Sequence, residues 1–178
     1  MTTLTSKTMA ALWALTLVAP VFAQFDPADI GRKSRGDYES FHQGSAYHRH
    51  AQDHSQLIYS YQQIQPTAPV AIVEKQNSAL KDNLTQSGEA LKSLKATHAK
   101  DPEVVKLVDA ILKRQASAMT HCDMLAACCQ KGDGAEKISG CCVGIYEELD
   151  AAKKDLDALK KHLKIKDLPV PMKQTPKK

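Results

Sequence analysis

The central part of this sequence is poor in residues that break helices, and it lacks the pattern of a β-strand. Only 8 glycines and 8 prolines occur among its 178 residues, and aromatic residues make up 5%. Alternating runs of β-branched residues are absent, which argues against a sheet-based fold. Alanine, leucine, lysine, glutamate, aspartate and glutamine dominate the long segments, and most of these are good helix formers. The composition therefore predicts an all-α protein with a single domain.

The sequence also lacks the features of two functional classes. The formal net charge is only +4, and acidic and basic residues are mixed along the chain, unlike the basic surface of a nucleic-acid-binding protein. No glycine-rich phosphate loop, Ser-His-Asp order or paired-carboxylate motif occurs. Cys122 follows His121, but adjacent residues on a helix point about 100° apart and do not form a nucleophile–base pair. We therefore expect neither nucleic-acid binding nor catalysis.

Residues 1–23 have the pattern of a cleavable signal peptide. Lys7 supplies a positive charge, an apolar run extends from Met9 to Val18, and the segment closes at the small residue Ala23. The run is too short to span a bilayer, and no second apolar stretch of spanning length follows. The sequence thus predicts a secreted or periplasmic protein without a transmembrane segment.

The rest of the chain is predicted to divide into three parts. Residues 24–43 contain Pro27, Gly31 and many charges without an apolar period, which is typical of a flexible N-terminal arm. Residues 44–165 are periodic and form the predicted helical bundle. Residues 166–178 are rich in lysine and proline and are expected to form a disordered basic tail.

Within the bundle, four segments repeat apolar residues every three or four positions, the period of a helix with one buried face. The first is expected to begin at Ser45 as N-cap, the second near Ala68, the third at Asp101-Pro102 as N-cap and first helical residue, and the fourth at Ala135. Short connections make consecutive helices antiparallel neighbours. The predicted fold is an antiparallel up-down-up-down four-helix bundle with a short first helix.

The same spacing predicts which face of each helix is buried. The inward residues of the first helix are expected to be Tyr47, His50, His54, Leu57, Tyr61 and Ile64. Those of the second are Val73, Asn77, Leu80, Leu84, Ser87, Leu91, Leu94 and His98. Those of the third are Val104 (or Val105), Val108, Ile111, Gln115, Met119 (or Ala118), Cys122, Leu125 and Cys129. Those of the fourth are Ile138, Cys142, Ile145, Leu149, Ala152, Leu156, Leu159 and Leu163.

Cysteine and histidine are concentrated in one part of the predicted bundle. The five cysteines are Cys122, Cys128, Cys129, Cys141 and Cys142. Four histidines surround the start of the first helix, namely His42, His48, His50 and His54, of which His42 and His48 are expected to be solvated. Counting about 1.5 Å per residue from the shared end of the bundle places His54, Asn77, Cys122 and Cys142 at nearly the same level. Imidazole and thiol groups are therefore expected to meet inside the bundle.

Thiolates and imidazoles are the donors that suit Cu(I) and Zn(II). Two histidines one helical turn apart are also close enough for a single ion to bridge them. We predict a copper or zinc ion bound by His50, His54, Cys122, Cys129 and Cys142, with His121, Cys128 and Cys141 as secondary candidates. Side chains that could orient the ligands are Tyr47, Asn77 and Glu148. Such a protein would buffer, sequester or sense its metal.

The segment from His121-Cys122 to Cys142 resembles the cysteine-rich four-helix-bundle copper-binding and copper-storage proteins. Those proteins hold Cu(I) with inward cysteines and some histidines. By that resemblance Cys122, Cys129 and Cys142 would supply thiolates, with His121, His50 and His54 as flanking ligands. The family repeats cysteine at one-turn spacing along several helices, whereas no Cys-x-x-x-Cys occurs here. The resemblance therefore implies one or a few ions and not a large store.

The cysteines also permit a function without metal. In an oxidising compartment, Cys128 or Cys129 and Cys141 or Cys142 are placed to form disulfides across the turn between the third and fourth helices. Each bridge would stabilise the fold by roughly 2–4 kcal/mol. An odd number of cysteines leaves at least one thiol over. The alternative prediction is a disulfide-stapled helical structural or interaction protein with no metal and no catalysis.

Overall fold

The structure is a computed structural model that describes residues 35–64 and 70–167. The predicted signal peptide, residues 24–34 and residues 168–178 lie outside the described residues. Within residues 35–64 and 70–167 the chain is all-helical and has no strand, as the composition predicts. The helices are α1 (Arg35–Ile64), α2 (Val70–Thr97), α3 (Pro102–Lys131) and α4 (Ala135–Leu163). None of these described helices is long and apolar enough to cross a membrane.

The four helices pack in a closed ring, α1 on α2, α2 on α3, α3 on α4 and α4 on α1, which is consistent with a bundle. The core divides into two clusters. The thiol half consists of Ala51, Ile58, Val73, Leu80, Leu84, Ala118, Cys122, Leu125, Cys129, Ile138, Cys141, Cys142, Ile145 and Leu149. The distal half consists of Phe41, Leu91, Leu94, Val104, Val108, Ile111, Ala152, Leu156, Leu159 and Leu163. The inward residues predicted for α4 are all buried, and those of α2 are buried apart from the half-buried His98. In α3 the alternatives resolve to Val104 and Ala118, which are buried, whereas Val105 and Met119 are half-buried.

Local sequence signals determine both ends of α3, and its beginning at Asp101-Pro102 is as predicted. The Asp101 side chain accepts hydrogen bonds from the backbone N–H groups of Glu103 and Val104, at 3.1 and 3.2 Å. Pro102 occupies the first turn, where its missing N–H group costs nothing. At the other end Gly132 adopts φ 69° and its N–H group bonds to the carbonyl groups of the last turn. A glycine tolerates this left-handed conformation without strain.

Replacing the N-cap tests this description of α3. We expect Asp101→Ala to lower the free energy of unfolding by about 1 kcal/mol, because two backbone N–H groups lose their acceptor. Asp101→Asn should retain most of the stability, since the amide oxygen still accepts. Urea unfolding followed by far-UV circular dichroism measures the change. Asp82→Ala, at an exposed position inside α2, is the control, and an equal loss in both alanine variants would contradict a capping role.

The prediction of a short first helix is wrong. Helix α1 contains 30 residues, so residues 35–43 are helical and are not part of a flexible arm. Phe41 is buried in the distal half, and Asp37 Oδ2 lies 3.1 Å from Nε2 of His98 in α2. Contacts with other helices therefore stabilise a segment whose own sequence has no apolar period.

The predicted inward face of α1 is also wrong, by one residue. His50, Leu57 and Ile64 are exposed, whereas Tyr47, His54 and Tyr61 are half-buried. The buried positions are instead Asp37, Phe41, Gly44, His48, Ala51, Ser55, Ile58 and Gln62. These also alternate three and four apart, which is the spacing of a helix packed at a shallow angle. Most of them are small or polar. The larger apolar residues lie one position away, and a prediction based on apolar spacing therefore chose the wrong face.

The beginning of the predicted C-terminal tail packs on the bundle. His42 Nε2 donates a hydrogen bond to the carbonyl oxygen of Lys166 at 3.1 Å. The ammonium group of Lys160 pairs with the carboxylate of Asp167. The ordered chain therefore extends a few residues beyond Leu163, where α4 ends.

Candidate metal site

All five cysteines lie around the turn that joins α3 to α4, and all are free thiols. Cys122, Cys129, Cys141 and Cys142 are buried, and Cys128 is half-buried. The cluster is shielded from solvent because the cysteines in the C-terminal part of α3 pack against those in the N-terminal part of α4. The structure therefore brings together the cysteines that the sequence analysis selected, on two of the four helices.

Two of the thiols are neighbours across the turn. Burial raises the pKa of Cys141, and the adjacent Cys128 thiol raises it further. The Cys128 thiol in turn lies beside the carboxylate of Asp133. Lys137 Nζ lies 3.1 Å from Oδ1 of the same carboxylate. The Lys137 ammonium, together with the Cys128 thiol, holds the pKa of Asp133 below its usual range. The charged Asp133 side chain therefore lies beside the Cys128–Cys141 pair, on the side of the half-buried Cys128.

The other three thiols extend this pair into the core. A thiolate at Cys142 would be repelled by the neighbouring Cys141 and Cys129, and one at Cys122 would be repelled by Cys142, because these side chains lie close together. Burial raises the pKa of the Cys122 thiol to about 12 and that of Cys142 to about 12. Burial also raises the pKa of Cys129 and Cys141. These groups are protonated at neutral pH and become thiolates only when a cation takes the place of the proton.

Asn77 of α2 touches this cluster at the level that the sequence predicts. Its Nδ2 donates a hydrogen bond to the carbonyl oxygen of Cys122 at 2.8 Å, and its buried Oδ1 has no partner among the described residues. Glu148 does not contact the cysteines. It accepts a hydrogen bond from Ser117 at 2.9 Å and lies 3.8 Å from Arg114.

The histidines proposed as ligands lie at three different places on the bundle. His50 is exposed on α1, and the imidazole of His54 lies with Nδ1 2.6 Å from Oε1 of Gln76. The ring of His121 lies over the backbone of α4 at Gly144. A Cβ atom at that glycine would come within 2.7 Å of the ring. Rotation of α1 by one residue places His50 outside the core.

His48 is the buried histidine of α1, although it was expected to be solvated. Its Nε2–H group donates to the carbonyl oxygen of Leu149 at 3.0 Å, and its Nδ1 has no partner among the described residues. Burial lowers the pKa of the ring, which favours the neutral form. The sequence does not reveal this burial. The other buried residues of α1 are mostly small or polar, and the partner of His48 is a backbone carbonyl group on another helix.

Within residues 35–64 and 70–167, no group of three or more His, Cys, Asp or Glu side chains is arranged to hold a metal ion. What the cluster offers is a pair of neighbouring thiols, with further thiols nearby. Asp133 and Lys137 were missed in the sequence, although a carboxylate directly after the helix that carries Cys128 was a possible signal. The chain turns back at Gly132, which places the Asp133 N–H group 2.9 Å from the carbonyl oxygen of Cys128.

The comparisons with known proteins add no identification. No known protein family, no curated protein and no solved structure matches this chain. The resemblance to copper-binding bundles therefore stays a prediction.

Proposed function

We propose that this protein is an exported helical bundle that binds Cu(I) through cysteine thiolates at the α3–α4 turn. The observation that carries the proposal is the packing of all five thiols in one cluster, in which Cys128 and Cys141 are neighbours across the turn. The signal-peptide pattern of residues 1–23 supports a secreted or periplasmic location. The role that follows is sequestration or buffering of the ion, because burial keeps the thiols from reacting with other partners.

The proposed arrangement of the bundle is antiparallel up-down-up-down. Gly44 pairs with Ser87, and further along α1 His54 pairs with the earlier residue Gln76 of α2. The pairs Arg114–Asp155 and Ser117–Glu148 have the same inverse order in α3 and α4, which supports the proposed arrangement. In this arrangement the α3–α4 turn lies at the same end of the bundle as the last turn of α1 and the first turn of α2.

The donor geometry favours Cu(I) over Zn(II). Structural zinc is held by four ligands in a tetrahedron, and the described residues bring no such set together. Cu(I) is a soft ion that favours thiolate ligands, and two thiolates are sufficient to hold it. In our proposal Cys128 and Cys141 supply those two thiolates, and Cys129 and Cys142 lie next to them as additional donors.

The same arrangement favours a second candidate function. Two neighbouring thiols on either side of a turn are also placed to form a disulfide, which an oxidising compartment promotes. A Cys128–Cys141 bridge would close a short loop and stabilise the bundle by about 3 kcal/mol. The protein would then be a stapled structural or interaction module.

The first experiment is a titration of the reduced protein with Cu(I) in competition with a chromophoric Cu(I) chelator. We expect about one equivalent of Cu(I) to bind, and either Cys128→Ser or Cys141→Ser to lower the affinity at least tenfold, since each removes one of the two thiolates. His50→Ala is the matched control and should leave the affinity unchanged because His50 is exposed. Elemental analysis of protein purified from its own compartment identifies the ion actually bound.

Mass spectrometry of alkylated, non-reduced protein separates the two candidates. Five alkylated cysteines support the thiolate site. A Cys128–Cys141 disulfide, together with no Cu(I) uptake after reduction, would reject the metal function and leave the stapled bundle. Zinc uptake in place of copper would reject our choice of ion.

A further inference from the structure

A cleft of about 290 Å³ opens between α1 and α4 beside the thiol half. Tyr59 of α1 and Val143 and Tyr146 of α4 line it and remain partly exposed, so they form its rim. Ser55 and Cys142 also line it, and each is only 1% exposed, so they form its floor. The cleft exists because both floor residues are small at a level where the two helices face each other.

The Ser55 hydroxyl distinguishes this cleft from an ordinary surface groove. It is buried and has no hydrogen-bond partner among the described residues. A buried hydroxyl without a partner carries a desolvation cost, which a polar group placed in the cleft would remove. Because Ser55 lines the cleft, a molecule bound there can supply the missing hydrogen-bond partner.

The lining determines what such a molecule is like. All the residues around the cleft are uncharged at neutral pH, so an ionised ligand would lose its hydration without gaining a partner. Tyrosine rings on both helices favour a planar aromatic body, and the Cys142 sulfur also packs well against an aromatic ring. A volume of 290 Å³ is near the lower end of the range of small-molecule sites, about 300–1,000 Å³, so the occupant is a single-ring compound.

We propose that the α1–α4 cleft binds a small neutral aromatic molecule that carries one hydroxyl or amine group. The aromatic body lies between Tyr59 and Tyr146, and the polar group hydrogen-bonds to the Ser55 hydroxyl. This site does not depend on the proposed metal function, because its contacts are with a protonated thiol and a hydroxyl.

The test uses 4-fluorophenol as the probe and the reduced, metal-free protein. Fluorine-19 NMR should show saturable binding with a Kd on the order of 1 mM, as is typical of so small a ligand. In carbon-13 spectra of the protein, the methyl signals of Val143 should shift on addition of the probe. Those of Val108, which is buried in the distal half, should remain unchanged.

Three variants test the contacts. Ser55→Ala should weaken 4-fluorophenol about five- to tenfold by removing the hydrogen bond, yet it should not weaken fluorobenzene, which has no hydroxyl. Val143→Trp should abolish saturable binding, since the larger side chain fills the cleft from its exposed rim without entering the core. Ser78→Ala, at an exposed position of α2, is the control for serine removal and should bind like the unmodified protein.

Circular dichroism checks that each variant is folded, so that a loss of binding is not mistaken for unfolding. A fluorine shift that remains linear in ligand concentration would show that no site exists. Saturable binding that survives Val143→Trp would place the ligand elsewhere. An equal loss of 4-fluorophenol and fluorobenzene in Ser55→Ala would overturn the proposed hydrogen bond.

Discussion

Ile58→Asp is expected to unfold most of the protein under conditions in which Leu57→Asp remains folded. Ile58 is 1% exposed in the thiol half, whereas Leu57 is 40% exposed. Placing a carboxylate at position 58 removes a large apolar side chain from the core and buries a charge without a partner. Changes of this kind cost about 4 kcal/mol or more, a large part of the 5–15 kcal/mol that stabilises a typical domain.

The neighbouring variant is the matched control because the chemical change is nearly the same. Leu57→Asp should cost about 1 kcal/mol or less, mainly through helix propensity and partial loss of apolar contact. Guanidinium unfolding followed by circular dichroism gives both values. If Leu57→Asp were the more damaging of the two, the helix would be rotated by one residue, toward the face that apolar periodicity predicts.

A second pair extends the test along the same helix. Ala51 is fully buried and His50 is exposed. Ala51→Asp should therefore be strongly destabilising and His50→Asp close to neutral. Agreement of both pairs would establish the inward face of α1 over two helical turns, and with it the separation of His50 from the thiols.

The reduced, metal-free protein is expected to lose stability steeply as the pH rises from about 9 to about 12. Burial raises the pKa of Cys122 to about 12 and that of Cys142 to about 12 from an ordinary value of 9.0. The folded state therefore holds these protons more tightly than the unfolded chain does. The stabilisation is fully present below pH 9.0, the ordinary value, and declines as the unfolded thiols ionise.

The size of this effect follows from the shifts. A shift of about three pKa units corresponds to roughly 4 kcal/mol for each thiol at the end of the window. Cys122→Ala and Cys142→Ala should each be less stable than the unmodified protein at pH 7, because a buried side chain is truncated. Each should nevertheless lose less stability between pH 9 and pH 12, since the titrating group is gone.

Urea unfolding at a series of pH values measures this difference directly. Met119→Ala is the control, because it truncates a side chain packed on the same cluster without removing a titratable group. Its pH dependence should parallel that of the unmodified protein. Parallel curves for Cys122→Ala as well would show that the buried thiol does not contribute to alkaline unfolding.

The inward faces of α2, α3 and α4 could be predicted from the sequence because their buried positions are also their most apolar ones. Ile145, Leu149 and Leu159 recur at helical spacing, so the period alone identifies the face that packs. The ends of α3 were equally predictable, since Asp101 and Gly132 act through hydrogen bonds within their own turns. The sequence likewise determined that the cysteines gather near one turn, because two consecutive helices carry them on either side of it.

Only the tertiary structure decided the orientation of α1 and the partners of its polar residues. Its buried face contains Gly44, His48, Ser55 and Gln62, which carry little apolar signal. Their burial depends on groups supplied by other helices, such as the Leu149 carbonyl that accepts from His48. The proximity of Cys128 to Cys141 belongs to the same class. Neighbouring positions in sequence allow four pairings across the turn, and the packing of α3 on α4 decides how close the members of each pair lie.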